Sequence, residues 1–161
     1  MPEKMTPKIT FPGDRQVLIT AQFDVPADAL FRSFTTPELV TQWWGRPNGE
    51  LTTCEIDLRP GGTWRYVFTP VDGPAAHFHG TYQEVRPGQR VSYNDVLEDL
   101  GGVEAHNTVT FDEVDGRTTL RILAEHSSTE NRDRQAATLD EQALPPAFDL
   151  LERVAQSVLG H

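Results

Sequence analysis

Asp95 is the acidic residue whose surroundings could support proton transfer. It alternates with Tyr93 on the apolar-facing side of a predicted strand, whereas the carboxylates of residues 98–99 and 112–115 lie around turns, where water solvates them. A general acid needs a buried carboxyl group with a raised pKa. Asp95 is therefore the candidate catalytic residue. No nucleophile elbow, phosphate loop, dinucleotide fingerprint or zinc-binding helix motif occurs in the sequence.

Histidine side chains could bind a metal or transfer protons. His77 and His79 share one face of a predicted strand, and such a pair can hold zinc when a third ligand approaches. Phe78 between them is predicted to point inward, so we expect both histidines to face solvent. His126 follows Glu125, but neighbours on a strand point to opposite faces, which disfavours an acid–base pair. We predict no metal site and no cofactor.

Aromatic residues alternate along predicted strands and recur in the last helix. They form either an ordinary core, in which large rings dominate the packing energy, or the wall of a cavity. A strongly curved sheet and one kinked helix rarely fill their interior with side chains, and ligand sites are apolar with a few polar groups. The cavity interpretation predicts a lining of Trp43, Trp64, Tyr66, Phe68, Phe78, Tyr82, Tyr93, Asn107, Phe148 and Leu151.

Two further motifs have both a structural and a functional interpretation. Adjacent helical residues point roughly 100° apart, so Trp43 and Trp44 cannot both be buried on one face. Either one packs under the rim of the sheet while the other covers the helix junction, or the pair gates the cavity mouth. In residues 59–62, Pro60 fixes the exit of a strand and two glycines permit a tight reversal, which indicates hairpin geometry.

Periodicity and turn residues predict the elements that position these side chains. Period-two alternation indicates strands, and the glycine- and proline-rich turns between them indicate an antiparallel meander. Two short helices, opened by Pro26 and Pro37, follow the first strand. The predicted strands are residues 15–24, 51–58, 63–69, 76–85, 90–97, 103–113 and 117–126.

A long amphipathic helix is predicted at the end of the chain. It begins at Ser128 or Thr129 and continues to Leu159. Pro145 and Pro146 lack the backbone donor that a helix interior needs, so we expect a kink or a short break near residues 143–145. This helix is the only predicted element long enough to cover one side of the sheet.

Composition indicates a single acidic domain. Of the 161 residues, 37% are hydrophobic and 24% are charged, and the formal net charge is −10. We predict a flexible arm over residues 1–13 and one domain over residues 14–161. An acidic surface repels phosphate backbones, so we expect no nucleic-acid partner.

The sequence also bears on where the protein resides. No apolar run approaches the roughly 20 residues of a membrane span, and the first ten residues lack the apolar segment of a signal peptide. Cys54 is the one cysteine, so no internal disulfide can form. The sequence places neither a base nor a helix N-terminus beside Cys54, and a catalytic thiol needs such a neighbour. We expect a cytoplasmic protein.

Four segments together resemble a known family. Residues 31–45, 54–64, 78–87 and 109–111 are similar to signature segments of the SRPBCC (START-like, birch-pollen-allergen-like) superfamily. Within it, the chain resembles the C-terminal domain of the activator of heat-shock-protein-90 ATPase. The resemblance implies an α+β helix-grip fold, in which a curved seven-stranded antiparallel sheet wraps around a long C-terminal helix. Many relatives carry glycine followed by Met or Trp near the middle of the last helix, where this chain has Leu139 and Asp140.

The resemblance implies three functions that remain open. The first is a non-catalytic module that encloses a small apolar molecule. The second is a polyketide cyclase- or hydrolase-like enzyme that uses polar groups of the same cavity, with Asp95, Tyr82 and Asn107 as candidates. The third is a co-chaperone-type interaction domain with a role in the stress response, although this chain lacks the separate N-terminal domain of the eukaryotic protein. Exposed strand edges are also compatible with a homodimer.

Overall fold

One antiparallel sheet and a set of helices against its inner face form the molecule. The structure is a computed structural model and describes residues 4–46, 48–100, 103–138 and 144–159. The strands are β1 Lys8–Thr10, β2 Gln16–Phe23, β3 Gly49–Ile56, β4 Thr63–Pro70, β5 Ala76–Arg86, β6 Arg90–Leu97, β7 Val103–Val114 and β8 Arg117–His126. The helices are α1 Ala27–Thr35, α2 Pro37–Val40, α3 Thr129–Thr138 and α4 Leu144–Leu159, with a 3-10 turn at Glu98–Leu100.

The strand order is β1-β2-β8-β7-β6-β5-β4-β3, and every neighbouring pair is antiparallel. Strands β3 to β8 follow one another as a meander because short turns connect them. The β7–β8 turn has positive φ at Asp115 and Gly116, 53° and 80°, a backbone twist that joins two strands tightly. The α+β helix-grip prediction is confirmed, and the seven predicted strands are present with ends within two residues of the prediction.

The number of strands is corrected from seven to eight. Strand β1 lies within residues 1–13, which we predicted as a flexible arm, and it pairs with the edge of β2 through Ile9 opposite Ile19. Three residues are too few to show an alternating pattern. The partner strand supplies the hydrogen bonds that hold this segment extended, so its structure comes from a contact distant in sequence.

The helices also differ in detail from the prediction. The second short helix ends at Val40, and residues 41–46 continue as turns that carry the two adjacent tryptophans. The structure describes two segments of the predicted long C-terminal helix, α3 and α4. The predicted break falls partly on residue 143, which lies outside the described residues. Pro145 and Pro146 belong to the first turn of α4. Backbone N–H groups in a first turn form no hydrogen bond within the helix, so proline breaks no such bond there.

The core lies between the inner face of the sheet and helices α1 and α4. Val17, Ala21 and Phe23 are buried on β2, as their alternation predicted. Phe23 meets Phe148 of α4 edge to face, with ring centroids 5.5 Å apart. Leu151 is fully buried on the same helix. The apolar side chains of α1 and α4 therefore fill the half of the molecule next to β2, β7 and β8.

Candidate functional site

A cavity occupies the space between the sheet, the α1–α2 segment and the start of α4. Its volume is about 530 Å³, within the range of roughly 300–1,000 Å³ that is usual for ligand pockets. Strands β4, β5 and β6 supply its floor, and Leu144, Ala147 and Phe148 close it from α4. The cavity exists because these strands lie beyond the side chains with which α1 and α4 fill the other half of the sheet.

Edge-to-face aromatic contacts form the wall of the cavity on the β4–β6 side. The ring centroids of Trp64 and Tyr66 are 4.9 Å apart, those of Trp64 and Tyr93 are 5.5 Å apart, and those of Tyr82 and Tyr93 are 5.9 Å apart. Gly80 on β5 makes room for this arrangement, because a Cβ atom there would clash with the indole of Trp64 and with the backbone of β6. The wall is thus fixed by packing.

Trp44 lies among the aromatic rings that line the cavity. Its ring lies 5.6 Å from the rings of Tyr66, Phe68 and Phe78, in each case edge to face. Trp43 is buried instead, stacks against a neighbouring phenylalanine of α1 and donates its indole N–H to the carbonyl oxygen of Ser33 at 2.9 Å. Both tryptophans line the cavity, but they do so from different positions. That the two tryptophans act as a gate at the cavity mouth stays a prediction.

Asp95 is the acidic group of the cavity. Its Oδ1 atom is buried and accepts no hydrogen bond. Burial raises the pKa of this carboxyl group from 3.8 to about 6, and the nearby positive potential of His79 offsets a part of that rise. Desolvation disfavours the ionised form when no donor compensates for the lost water.

Three tyrosine hydroxyl groups lie on the same wall as Asp95. The pKa values of Tyr66, Tyr82 and Tyr93 are raised, in each case mainly by burial. All three therefore stay protonated near neutral pH and can both donate and accept a hydrogen bond. All three side chains line the cavity, so a hydroxyl group on this wall could bond to a ligand.

Two residues of the predicted lining lie elsewhere. Leu151 is fully buried in the core against α1, and Asn107 is buried on β7 with an unpartnered Nδ2 atom; neither is among the residues that line the cavity. The other predicted lining residues do line it: Trp43, Trp64, Tyr66, Phe68, Phe78, Tyr82, Tyr93 and Phe148, together with Asp95.

Several lining residues were not predicted from the sequence. Ile19, Val91 and Ile122 belong to the inward set of their strands, so alternation contained a signal for them. Gln135 reaches the cavity from α3, a helix so polar that its composition gave no such signal. Its amide oxygen pairs with Nε2 of His126, which is buried at the end of β8.

The surface histidines contact acidic side chains. The ring Nδ1 of His77 lies 3.1 Å from Asp99, and Nδ1 of His79 lies 3.0 Å from Glu98. The backbone and side chain of His77 hydrogen-bond to Asp99 and lower the pKa of that carboxyl group. Among the residues whose placement is described, no three histidine, cysteine or acidic side chains are grouped to hold a metal ion.

Cys54 is half-buried on β3. Burial, and to a smaller extent the negative charge of Glu38, raise the pKa of its thiol to about 11. The reactive form of cysteine is the thiolate, which is therefore scarce at neutral pH. This environment opposes a role as nucleophile.

Comparison with known proteins gives a family and a set of structural relatives. The family model for Activator of Hsp90 ATPase homolog 1-like proteins matches residues 24–156. A Rhodobacter sphaeroides protein superposes with a TM-score of 0.84 at 22% identity over 94% of this chain and 99% of that one. A Mycobacterium smegmatis protein superposes with a TM-score of 0.80 at 23% identity, over 94% of this chain and 96% of that one. An Arthrobacter aurescens protein superposes with a TM-score of 0.81 at 20% identity, over 95% of this chain and 93% of that one. At such identities the likeness shows the fold, and no curated protein matches the sequence.

Proposed function

The chain belongs to the Activator of Hsp90 ATPase homolog 1-like family, and from this premise we propose that it binds a small, largely apolar molecule in the cavity between the sheet and α4. The observation that carries the proposal is the cavity of about 530 Å³ with its aromatic wall. Fold alone does not assign a function, so the residues of the site are the basis of the proposal.

The size of the cavity distinguishes it from an ordinary packing gap in a core. Protein interiors are close-packed and contain few voids larger than a water molecule, whereas a space of about 530 Å³ is in the range of small-molecule sites. Aromatic walls favour an apolar ligand over bulk water.

Mass spectrometry of freshly purified protein tests the proposal first. Native spectra should show an added mass at near-stoichiometric occupancy, and denaturing spectra should release a small molecule of that mass. Ligand-free protein should then bind Nile red, an uncharged apolar dye, with a 1:1 stoichiometry. A clean unliganded mass combined with no saturable dye binding would refute the proposal.

A cavity-filling variant localises the binding. Ala147 lines the cavity from α4, so Ala147→Trp should abolish dye binding. Ala137 is exposed on α3 and does not line the cavity, so Ala137→Trp is the matched control and should bind the dye as the unmodified protein does. Equal loss in both variants would place the dye elsewhere or indicate unfolding, which circular dichroism distinguishes.

Asp95 favours an enzyme as the second candidate. A buried carboxyl group with a pKa of about 6 is suited to general acid–base catalysis near neutral pH, and two hydroxyls of the same wall, those of Tyr82 and Tyr93, could orient a substrate. A cyclase- or hydrolase-like activity should then show a rate that changes around pH 6 and is lost in Asp95→Asn. Hydrolysis of p-nitrophenyl butyrate is a direct assay, and turnover unchanged in that variant would remove Asp95 as the catalytic group.

The sequence also led to predictions about membrane spans, partners and cellular location. Among the described residues no helix is long and apolar enough to cross a membrane. A chaperone partner, a homodimer, a role in the stress response and a cytoplasmic location stay predictions from the sequence and its family.

A further inference from the structure

We infer that the molecule bound in the cavity carries a basic amine, which lies against Asp95 and the aromatic rings beside it. The inference rests on the proposed binding function and adds the chemical class of the ligand. Its starting point is a buried carboxyl oxygen without a hydrogen-bond donor, on the wall of an otherwise aromatic site.

Among the described residues, no group hydrogen-bonds to the buried Oδ1 atom of Asp95. His79 faces the opposite side of the sheet and is engaged by Glu98. Arg46 also lines the cavity, but its guanidinium group donates to the carbonyl oxygen of Thr41 and lies 3.8 Å from the carboxylate of Glu50.

A buried carboxyl group without a donor is costly, and only some ligands remove that cost. An ammonium group both donates hydrogen bonds and neutralises the charge, so it stabilises the ionised form of Asp95. A hydroxyl group donates a hydrogen bond but leaves the charge uncompensated. A carboxylate or phosphate on the ligand would repel Asp95 at short range.

The aromatic wall independently favours a cation. The rings of Trp64, Tyr82 and Tyr93 are linked by edge-to-face contacts at 5.5 and 5.9 Å, and Tyr93 precedes Asp95 by two residues on the same face of β6. Ring faces carry negative potential and attract ammonium groups within about 6 Å. Asp95 and these rings therefore belong to the same lining of the cavity.

The remaining volume sets the other part of the ligand. The cavity continues past Phe68 and Phe78 to Trp44, so the amine should bear an apolar body that lies against these rings. The net charge of −10 also attracts cations to the protein rather than anions. A small hydrophobic amine satisfies both ends of the site.

Three probes of equal apolar length test the inference: n-octylamine, n-octanol and sodium octanoate. Ligand-free protein is titrated with each at pH 7.5, and the change in tryptophan fluorescence reports binding. We expect octylamine to bind on the order of tenfold more tightly than octanol, and octanoate to bind most weakly. Asp95→Asn should remove the preference for octylamine over octanol, while Asp112→Asn, at an exposed ion pair with Arg121, should leave the binding of all three probes unchanged.

The outcomes test the proposed binding function and the assignment of an amine separately. If none of the three probes binds, the proposed binding function fails. If octanol or octanoate binds as well as octylamine, the cavity binds apolar molecules but the assignment of an amine is wrong, because water then satisfies Asp95. If Asp95→Asn does not fold, the probe series on the unmodified protein still decides between these results.

Discussion

Replacing Asp95 by asparagine should stabilise the ligand-free protein at neutral pH. The substitution keeps the shape of the side chain and removes its charge. In the unfolded chain this carboxyl group ionises at its ordinary pKa of 3.8, whereas burial raises the pKa in the folded protein to about 6. Between these values the folded state holds a proton that the unfolded state has lost, so Asp95 makes the protein less stable as the pH rises.

The magnitude follows from the two pKa values. Each tenfold change in acid dissociation corresponds to about 1.4 kcal/mol, so the interval from 3.8 to about 6 corresponds to about 3 kcal/mol. This cost is absent below pH 3.8 and fully present above pH 6. Relaxation around the carboxylate and entry of water reduce it, and we expect Asp95→Asn to gain about 1–3 kcal/mol at pH 7.5 and nothing at pH 3.5 or below.

Urea unfolding at pH 7.5 and pH 3.5, followed by circular dichroism, measures both free energies. The protein should be refolded from denaturant beforehand so that no bound amine remains, since an amine would stabilise the ionised form of Asp95. Asp112→Asn is the control, because Asp112 is exposed and its ion pair with Arg121 is a surface contact. A variant that gains nothing at pH 7.5, or that gains equally at both pH values, would refute the account of Asp95 as a buried, uncompensated carboxyl group.

Three further substitutions or modifications test the packing around the site. Gly80→Ala should destabilise the protein by about 2 kcal/mol or more in urea unfolding, because its Cβ would meet the carbonyl oxygen of Asn94; Gly13→Ala, which meets the end of a flexible side chain, should cost less than half as much. Leu151→Ala should cost about 3 kcal/mol yet leave Nile red affinity within twofold, and a large loss of affinity would place Leu151 in the site. Cys54, with its pKa near 11, should resist iodoacetamide at pH 8 until the protein unfolds, so fast labelling of folded protein would contradict its buried environment.

Alternation along the strands determined most of the inward-facing set. Residues two apart point to the same face of a sheet regardless of what packs there, so Trp64, Tyr66 and Phe68 could be assigned together before the fold was known. The turns were also local: glycine and proline at the strand ends have few conformational alternatives. These short-range rules gave the order of the elements and most of the eight predicted lining residues that the structure brings together.

The division of inward residues between core and cavity depended on the tertiary structure. Phe148 and Leu151 lie on one stripe of α4, but Leu151 is fully buried and does not line the cavity, whereas Phe148 lines it. Tyr93 and Asn107 are paired across β6 and β7, yet Tyr93 alone of the two lines the cavity. Period-two alternation fixes the face of a side chain, while the curvature of the sheet and the position of the helices decide what lies in front of it.

The polar groups of the site were also determined partly by the sequence and partly by the tertiary structure. The sequence placed Asp95 on an apolar face, which was sufficient to select it as the candidate acid. The tertiary structure decided that Oδ1 of Asp95 lacks a donor, that Trp44 contacts the aromatic rings of β4 and β5, and that Gln135 reaches the cavity from a polar helix. Each of these depends on contacts between segments far apart in the chain, and local propensity carries no information about which distant group will fill a given space.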